Sequence, residues 1–254
     1  MKRLVAVVAA ATLAIAGCSS SKSNSNSGSK LSGSITVYAA SSLTEAFNTI
    51  KSQFAAAHPG VTIKITYGNS ADLATQITQG ASVDVFASAS AKVMQQIVDA
   101  NDASSPTNFV SNVLEIAVPP NNPANITSVA DLAKSGVKVA VCDPSAPCGT
   151  VAAKVFANAK ITVKPTANEA DVKSTLAAVE SGEVDAGLVY VTDVRAAASK
   201  VKGIEIPTNV NASTTYPIVA LTKAPNSNLA QAFVAYVLSA AGKAVLTADG
   251  FANP

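Results

Sequence analysis

The sequence predicts an α/β protein built as two lobes, each a mainly parallel sheet with helices on both faces. Three observations predict it. Segments with a two-residue apolar period alternate with segments of helical period along most of the chain, the pattern of parallel strands joined by helices. About 220 residues (34–254) follow a polar leader, enough for one large domain or two small lobes. Two long extended runs, 110–118 and 204–216, have no helix beside them and divide the chain into front, middle and back. Two crossover strands between two lobes fit that division; a single doubly wound domain with two irregular loops fits the periodicity equally.

The elements follow in order. Residues 34–40 (SITVYAA) read as a strand, and Leu43, Phe47, Ile50 and Phe54 then recur at helical spacing. His58-Pro59-Gly60 stops that helix, and Val61, Ile63, Ile65 and Tyr67 alternate as a second strand. A helix from Ser70, a strand over 83–87 and a helix over 91–100 complete the front part. After the first extended run, closed by Pro119-Pro120, come a strand at 137–142, helices at 150–159 and 169–181, and a strand at 185–191. A strand at 217–222 and helices at 228–239 and 242–248 follow the second run.

The first thirty residues carry their own pattern. Met1-Lys2-Arg3 gives a basic start, and the apolar run from Leu4 to Gly17 is too short for a membrane-spanning helix of about 20 residues. This is an export signal. Ile15-Ala16-Gly17-Cys18 resembles the bacterial lipobox, which implies cleavage before Cys18 and lipidation of that residue, an anchor that holds the protein on the membrane without spanning it. Ser19 to Gly33 is nearly all Ser, Asn, Lys and Gly, a flexible tether. The expected organisation is therefore signal 1–17, lipidated cysteine and tether 18–33, first part of lobe 1 at 34–113, lobe 2 at 114–209, and return crossover with the rest of lobe 1 at 210–254.

Charge and composition exclude several functions. The chain has 18 basic and 16 acidic residues, and loss of Lys2 and Arg3 with the signal leaves sixteen of each. A neutral protein without Trp offers neither the basic surface nor the stacking platforms that nucleic acid requires. Enzymatic patterns are equally thin: there is no Gly-x-Ser-x-Gly elbow and no Walker-type loop, and the single histidine, His58, lies in a turn. Cys142 and Cys148 with one distant histidine make a poor zinc set. With Cys18 consumed by lipid, those two thiols meet an oxidising compartment across a proline-bent loop, which predicts a Cys142–Cys148 disulfide.

A recurring junction of strand, small polar residues and helix start carries the functional signal. It occurs at Ala40-Ser41-Ser42, at Gly68-Asn69-Ser70, at Pro147-Cys148-Gly149-Thr150 and, more loosely, at Asn168-Glu169-Ala170-Asp171-Val172. Each alone reads as a cap; Ser42-x-x-Glu45 fits a capping box, and Asp72 and Asp171 sit where first-turn acids cap helices. Together they form another device, because helix starts offer unpaired N–H groups and partial positive charge to an oxyanion without any Arg or Lys.

These segments resemble the periplasmic molybdate-binding proteins of ABC transporters. The resemblance runs from Ser34 to Phe251 and rests on five motifs in order: Val37 to Ala46 (VYAASSLTEA), Tyr67 to Leu73 (YGNSADL), Gly80 to Ala89 (GASVDVFASA), Asp143-Pro144 with Pro147-Cys148-Gly149, and Glu180 to Tyr190. It implies a type II periplasmic-binding-protein fold and no enzymatic activity. It implies a binding site in which Ser42 and Ser70 donate hydroxyl and backbone N–H groups, Cys148 and Val172 donate backbone N–H groups, and Tyr190 donates its phenol. Cys148 departs from a family position that is often alanine, and the loop before Pro147 is one residue shorter. The ligand implied is molybdate or tungstate, held by hydrogen bonds with no direct metal ligand and no cofactor, captured by a monomer outside the cell and passed to an ABC permease. Sulfate or another small oxyanion is the nearest alternative, and a membrane-anchored serine hydrolase using Ser42 or Ser70 a distant one.

Overall fold

The computed structural model describes residues 31–254. The signal, Cys18 and nearly all of the tether lie outside the described residues.

Strand β1 (Gly33–Ala40) buries alternate residues and leads through one 3-10 turn (Ser41–Leu43) into helix α1 (Thr44–Ala57). That helix buries Ala46, Phe47, Ile50 and Phe54, the stripe its spacing announces. Strand β2 (Val61–Gly68) returns parallel to β1 in the register Gly33↔Val61 to Ala40↔Gly68, which sets the ends of both strands side by side. Helix α2 (Ser70–Thr78), the buried β3 (Val85–Ala87) and α3 (Ala91–Asp99) follow. Strand β4 (Thr107–Val118) is the first extended run, twelve residues long.

Next come β5 (Val139–Cys142), α4 (Pro147–Asn158), β6 (Ala167–Glu169), α5 (Val172–Glu180), β7 (Ala186–Tyr190), α6 (Val191–Ala197) and β8 (Lys202–Glu205). Strand β9 (Ser213–Ala220) and helices α7 (Ser227–Leu238) and α8 (Ala240–Ala248) close the chain. The strands lie in the order β2-β1-β3-β9-β4-β7-β5-β6, with β8 also on β4.

Strand β4 makes two lobes of this path. Residues Thr107 to Val113 pair with β9, whereas Leu114 to Val118 pair with β7 on one side and β8 on the other. One core gathers Leu114 through Ile206. The other part of the chain covers both faces of its sheet: Val85 and Ala87 face the helices α1, α7 and α8, and Phe86 faces α2 and α3. On the first face, Phe233 meets Phe47 and Phe54 edge-on, with ring centres 6.2 and 5.5 Å apart.

Several expectations need correction. The sheets are mixed: β1 with β2 and β3, and β5 with β6 and β7, are parallel, but the crossover strands β4 and β9 run antiparallel to their neighbours and to each other. Helix α4 starts at Pro147 rather than 150, since proline suits a first helical position. Residues 167–169 are a strand beside β5, and α5 starts at Val172 because Asp171 caps it there. Helix α6 and strand β8 were not anticipated as separate elements. Among the described residues no single helix is long and apolar enough to cross a membrane.

Candidate anion-binding site

The carboxyl ends of the parallel strands of the two lobes meet around one small cavity of about 10 Å³. Ser42, Ser70, Cys148, Val172 and Tyr190, drawn from five separate elements, all stand on its wall. A space of that size is about that of one water, so the groups that converge on it, not its volume, say what it binds. Larger hollows of about 500 Å³ beside the crossover strands and about 640 Å³ along α4 gather no comparable set of converging donors.

Each donor is set by its local structure. Asn69 caps α2 by accepting the Ala71 N–H at 2.9 Å, so the helix-start amide of Ser70 has no intrahelical partner. Ser70 Oγ accepts the Ala89 N–H at 3.0 Å, which leaves its proton to donate. Asp171 does for α5 what Asn69 does for α2: its Oδ1 accepts from Lys173 and Ser174 at 2.9 and 3.0 Å and passes over Val172. Helix α4 has no side-chain cap, so the amides of Cys148 and Gly149 begin it unsatisfied. Gly149 is required there, because a Cβ would lie 2.7 Å from the Cys142 carbonyl oxygen and closer still to that of Asp143. The expected disulfide joins Cys142 to Cys148, tying the end of β5 to the first turn of α4.

Tyr190, the last residue of β7, is 1 % exposed, and its hydroxyl makes no well-formed hydrogen bond within the protein. A buried orphan hydroxyl costs about 1–3 kcal/mol, so its place on the wall of a cavity is informative. Burial raises its ionisation well above the usual phenol range, which keeps it a donor. Ser42 Oγ lies 2.9 Å from the hydroxyl of Tyr216 on β9, a residue that sequence reasoning did not single out. Tyr216 is itself buried edge-on to Tyr190, ring centres 6.1 Å apart, and its phenol is likewise pushed upward by burial.

The capping box expected at Ser42 and Glu45 does not form. Ser42 turns to Tyr216, and Glu45 pairs with Lys173 of α5, Nζ to oxygen distances being 2.9 and 2.8 Å. Lys173 also lies 3.0 Å from Asp193 Oδ1. Burial pushes Asp193 up to about 6 against the pull of Lys173, while burial lowers Lys173 and the two carboxylates more than reverse it. At neutral pH the lysine is a cation and Asp193 is mostly its anion. None of the three stands on the cavity wall, which carries no Lys or Arg. The one carboxylate on it, Asp171, is engaged as the α5 cap. Asp72 lies in the first turn of α2 away from the cavity.

Apart from Asp171, the wall is therefore a shell of helix-start amides and hydroxyls, suited to bind a small anion. Its serines have no base. His58 ends α1, its ring tilted against that of Phe54 with centres 4.5 Å apart, about 21 Å from the start of that helix at 1.5 Å per residue.

Comparison with known proteins agrees with this geometry. The family described as bacterial extracellular solute-binding protein matches residues 35–252. A molybdate-binding protein of Mycobacterium tuberculosis is 39% identical over 252 residues, covering 99% of this chain and 97% of its own. A putative ABC transporter substrate-binding lipoprotein of Bacillus subtilis is 32% identical, covering 95% and 94%. The solved periplasmic molybdate-binding protein of Azotobacter vinelandii shares the fold at a TM-score of 0.77 and 20% identity, over 87% of this chain and 99% of that one. This chain belongs to the bacterial extracellular solute-binding protein family, whose members capture solutes outside the cell and are not enzymes.

Proposed function

We propose that this protein captures molybdate or tungstate outside the cell and delivers it to the permease of an ABC importer. The shell of amides and hydroxyls carries the reading. Molybdate, tungstate and sulfate are dianions without protons at neutral pH, so every oxygen of such a ligand accepts, and the helix-start amides and hydroxyls on the cavity wall offer donors to it. The one carboxylate on the wall, Asp171, caps α5 through Oδ1. The resemblance to molybdate-binding proteins at 39% identity over nearly the whole length favours molybdate among the dianions. Ser42, Ser70, Cys148, Val172 and Tyr190 are the proposed ligand donors, Ser42 and Ser70 with hydroxyl and amide. Each charge-assisted hydrogen bond contributes about 1.5–3 kcal/mol.

The protein works in this reading as a monomer without cofactor, anchored by lipid on Cys18 at the outer face of the membrane; the lipoprotein name of the Bacillus subtilis relative supports the anchor. Residues 34–113 with 210–254 form one lobe and 114–209 the other, which the change of core between Val110 and Leu114 and between Ile206 and Tyr216 supports. Closure of the lobes strips water from the donors and strengthens them. Thermal shift with molybdate, tungstate, sulfate and phosphate at equal concentration tests the ligand. Molybdate and tungstate should raise the melting temperature most; a response to sulfate alone would overturn the choice.

A further inference from the structure

Each of three donors on the cavity wall is followed closely by a charged residue: Ser42 by Glu45, Val172 by Lys173, Tyr190 by Asp193. Those three charges meet. Lys173 Nζ is 3.0 Å from Asp193 Oδ1 within its own lobe, and 2.9 and 2.8 Å from the two oxygens of Glu45 on the other. Among the described residues this is the only ion pair that joins the lobes. Asp193 is fully buried, and its second oxygen accepts the N–H of Tyr190 at 3.1 Å, so the carboxylate that steadies the lysine also fixes the backbone of a ligand donor.

Resting on the oxyanion reading above, we infer that Glu45 and Lys173 form a clasp that holds the two lobes closed and slows escape of the ligand. Asp193 keeps the ammonium aimed at the cleft, so only Glu45 must be brought to it. When the lobes part about their crossover strands, as hinged binding proteins do, Lys173 retains Asp193 while Glu45 returns to water. The clasp is thus made at closure and lost at opening, and its residues touch no ligand; they are positioning residues. A pair whose side chains are 25% and 45% exposed is partly screened, which puts its effect near the upper end for surface pairs, about fivefold in affinity.

Stopped-flow tyrosine fluorescence with molybdate, which in a protein without tryptophan reads five tyrosines, Tyr190 and Tyr216 at the site among them, tests this in wild type, E45Q, K173M and the double variant. E45Q should dissociate about fivefold faster with its association rate and its ligand-free melting temperature unchanged. In the double variant the loss should not exceed that of K173M alone, because one interaction is removed twice. Wild-type dissociation in E45Q, or losses that multiply, would overturn the clasp and leave the oxyanion reading standing. A wild-type protein that binds none of the oxyanions would overturn that reading, and the clasp with it.

Discussion

Replacing Tyr190 by phenylalanine should weaken binding and leave the ligand-free fold as stable as wild type. The hydroxyl is buried on the cavity wall near the phenol of Tyr216 and makes no well-formed hydrogen bond within the protein. Its ring, 6.1 Å from that of Tyr216, is retained by phenylalanine, so packing is preserved. Loss of a hydrogen bond to an anion costs about 1.5–3 kcal/mol, or about 10- to 150-fold in dissociation constant. In the ligand-free protein the parted lobes give the hydroxyl to water, so the ligand-free melting temperature should stay within about 2 °C of wild type. Calorimetric titration with molybdate reads the first quantity and thermal unfolding without ligand the second. With saturating ligand the wild type should melt higher, because tighter binding stabilises it more. An affinity within threefold of wild type would refute the role of the hydroxyl, and a ligand-free melting temperature several degrees lower would show that it serves the fold instead.

Other expectations follow from features away from that hydroxyl. A Cys18→Ala form should show no free thiol before reduction, and reducing Cys142–Cys148 should cost about 2 kcal/mol, seen as a melting temperature lower by about 4–8 °C. Asp131 joins Lys134 at 2.6 Å and accepts from the Thr127 and Ser128 amides at 2.8 and 2.9 Å; Lys134 foremost, then these bonds, holds its carboxyl well below the usual range. A depressed native value stabilises above the unfolded value and is lost as pH falls, so D131N should cost about 2 kcal/mol at pH 7. The gap to wild type should narrow below about pH 4 in urea titrations.

Local signals carried most of the fold. Period-two and helical runs located the principal strands and helices, because each buries a face that the sequence marks. Four of the five proposed donors were visible for a related reason: Ser42, Ser70, Cys148 and Val172 lie at helix starts, and each start has a local signature, whereas Tyr190 came only from the family resemblance. What failed was local pattern set against distant contact. Ser42 and Glu45 have capping-box spacing, yet Tyr216, 174 residues away, takes the hydroxyl and Lys173, 128 away, takes the carboxylate. Nothing near position 216 or 173 in the sequence announces either partner. Glu169 was absorbed into a helix, and residues 167–168 were given no element, because their strand character comes from pairing with β5, not from their own composition.

The sharing of the first lobe between both ends of the chain bears on how the protein matures. The core of the second lobe is one continuous stretch from Leu114 to Ile206, complete in itself. The first needs Phe47 and Phe54 from the front and Phe233 and Leu246 from the far end. For a chain that emerges amino end first, the middle is expected to fold while the opening segment still waits with its aromatic face uncovered. The slow event is then the docking of α7 and α8, the contacts of greatest sequence separation. A chain cut after Ala220 would keep a foldable middle and lose the lobe that precedes it.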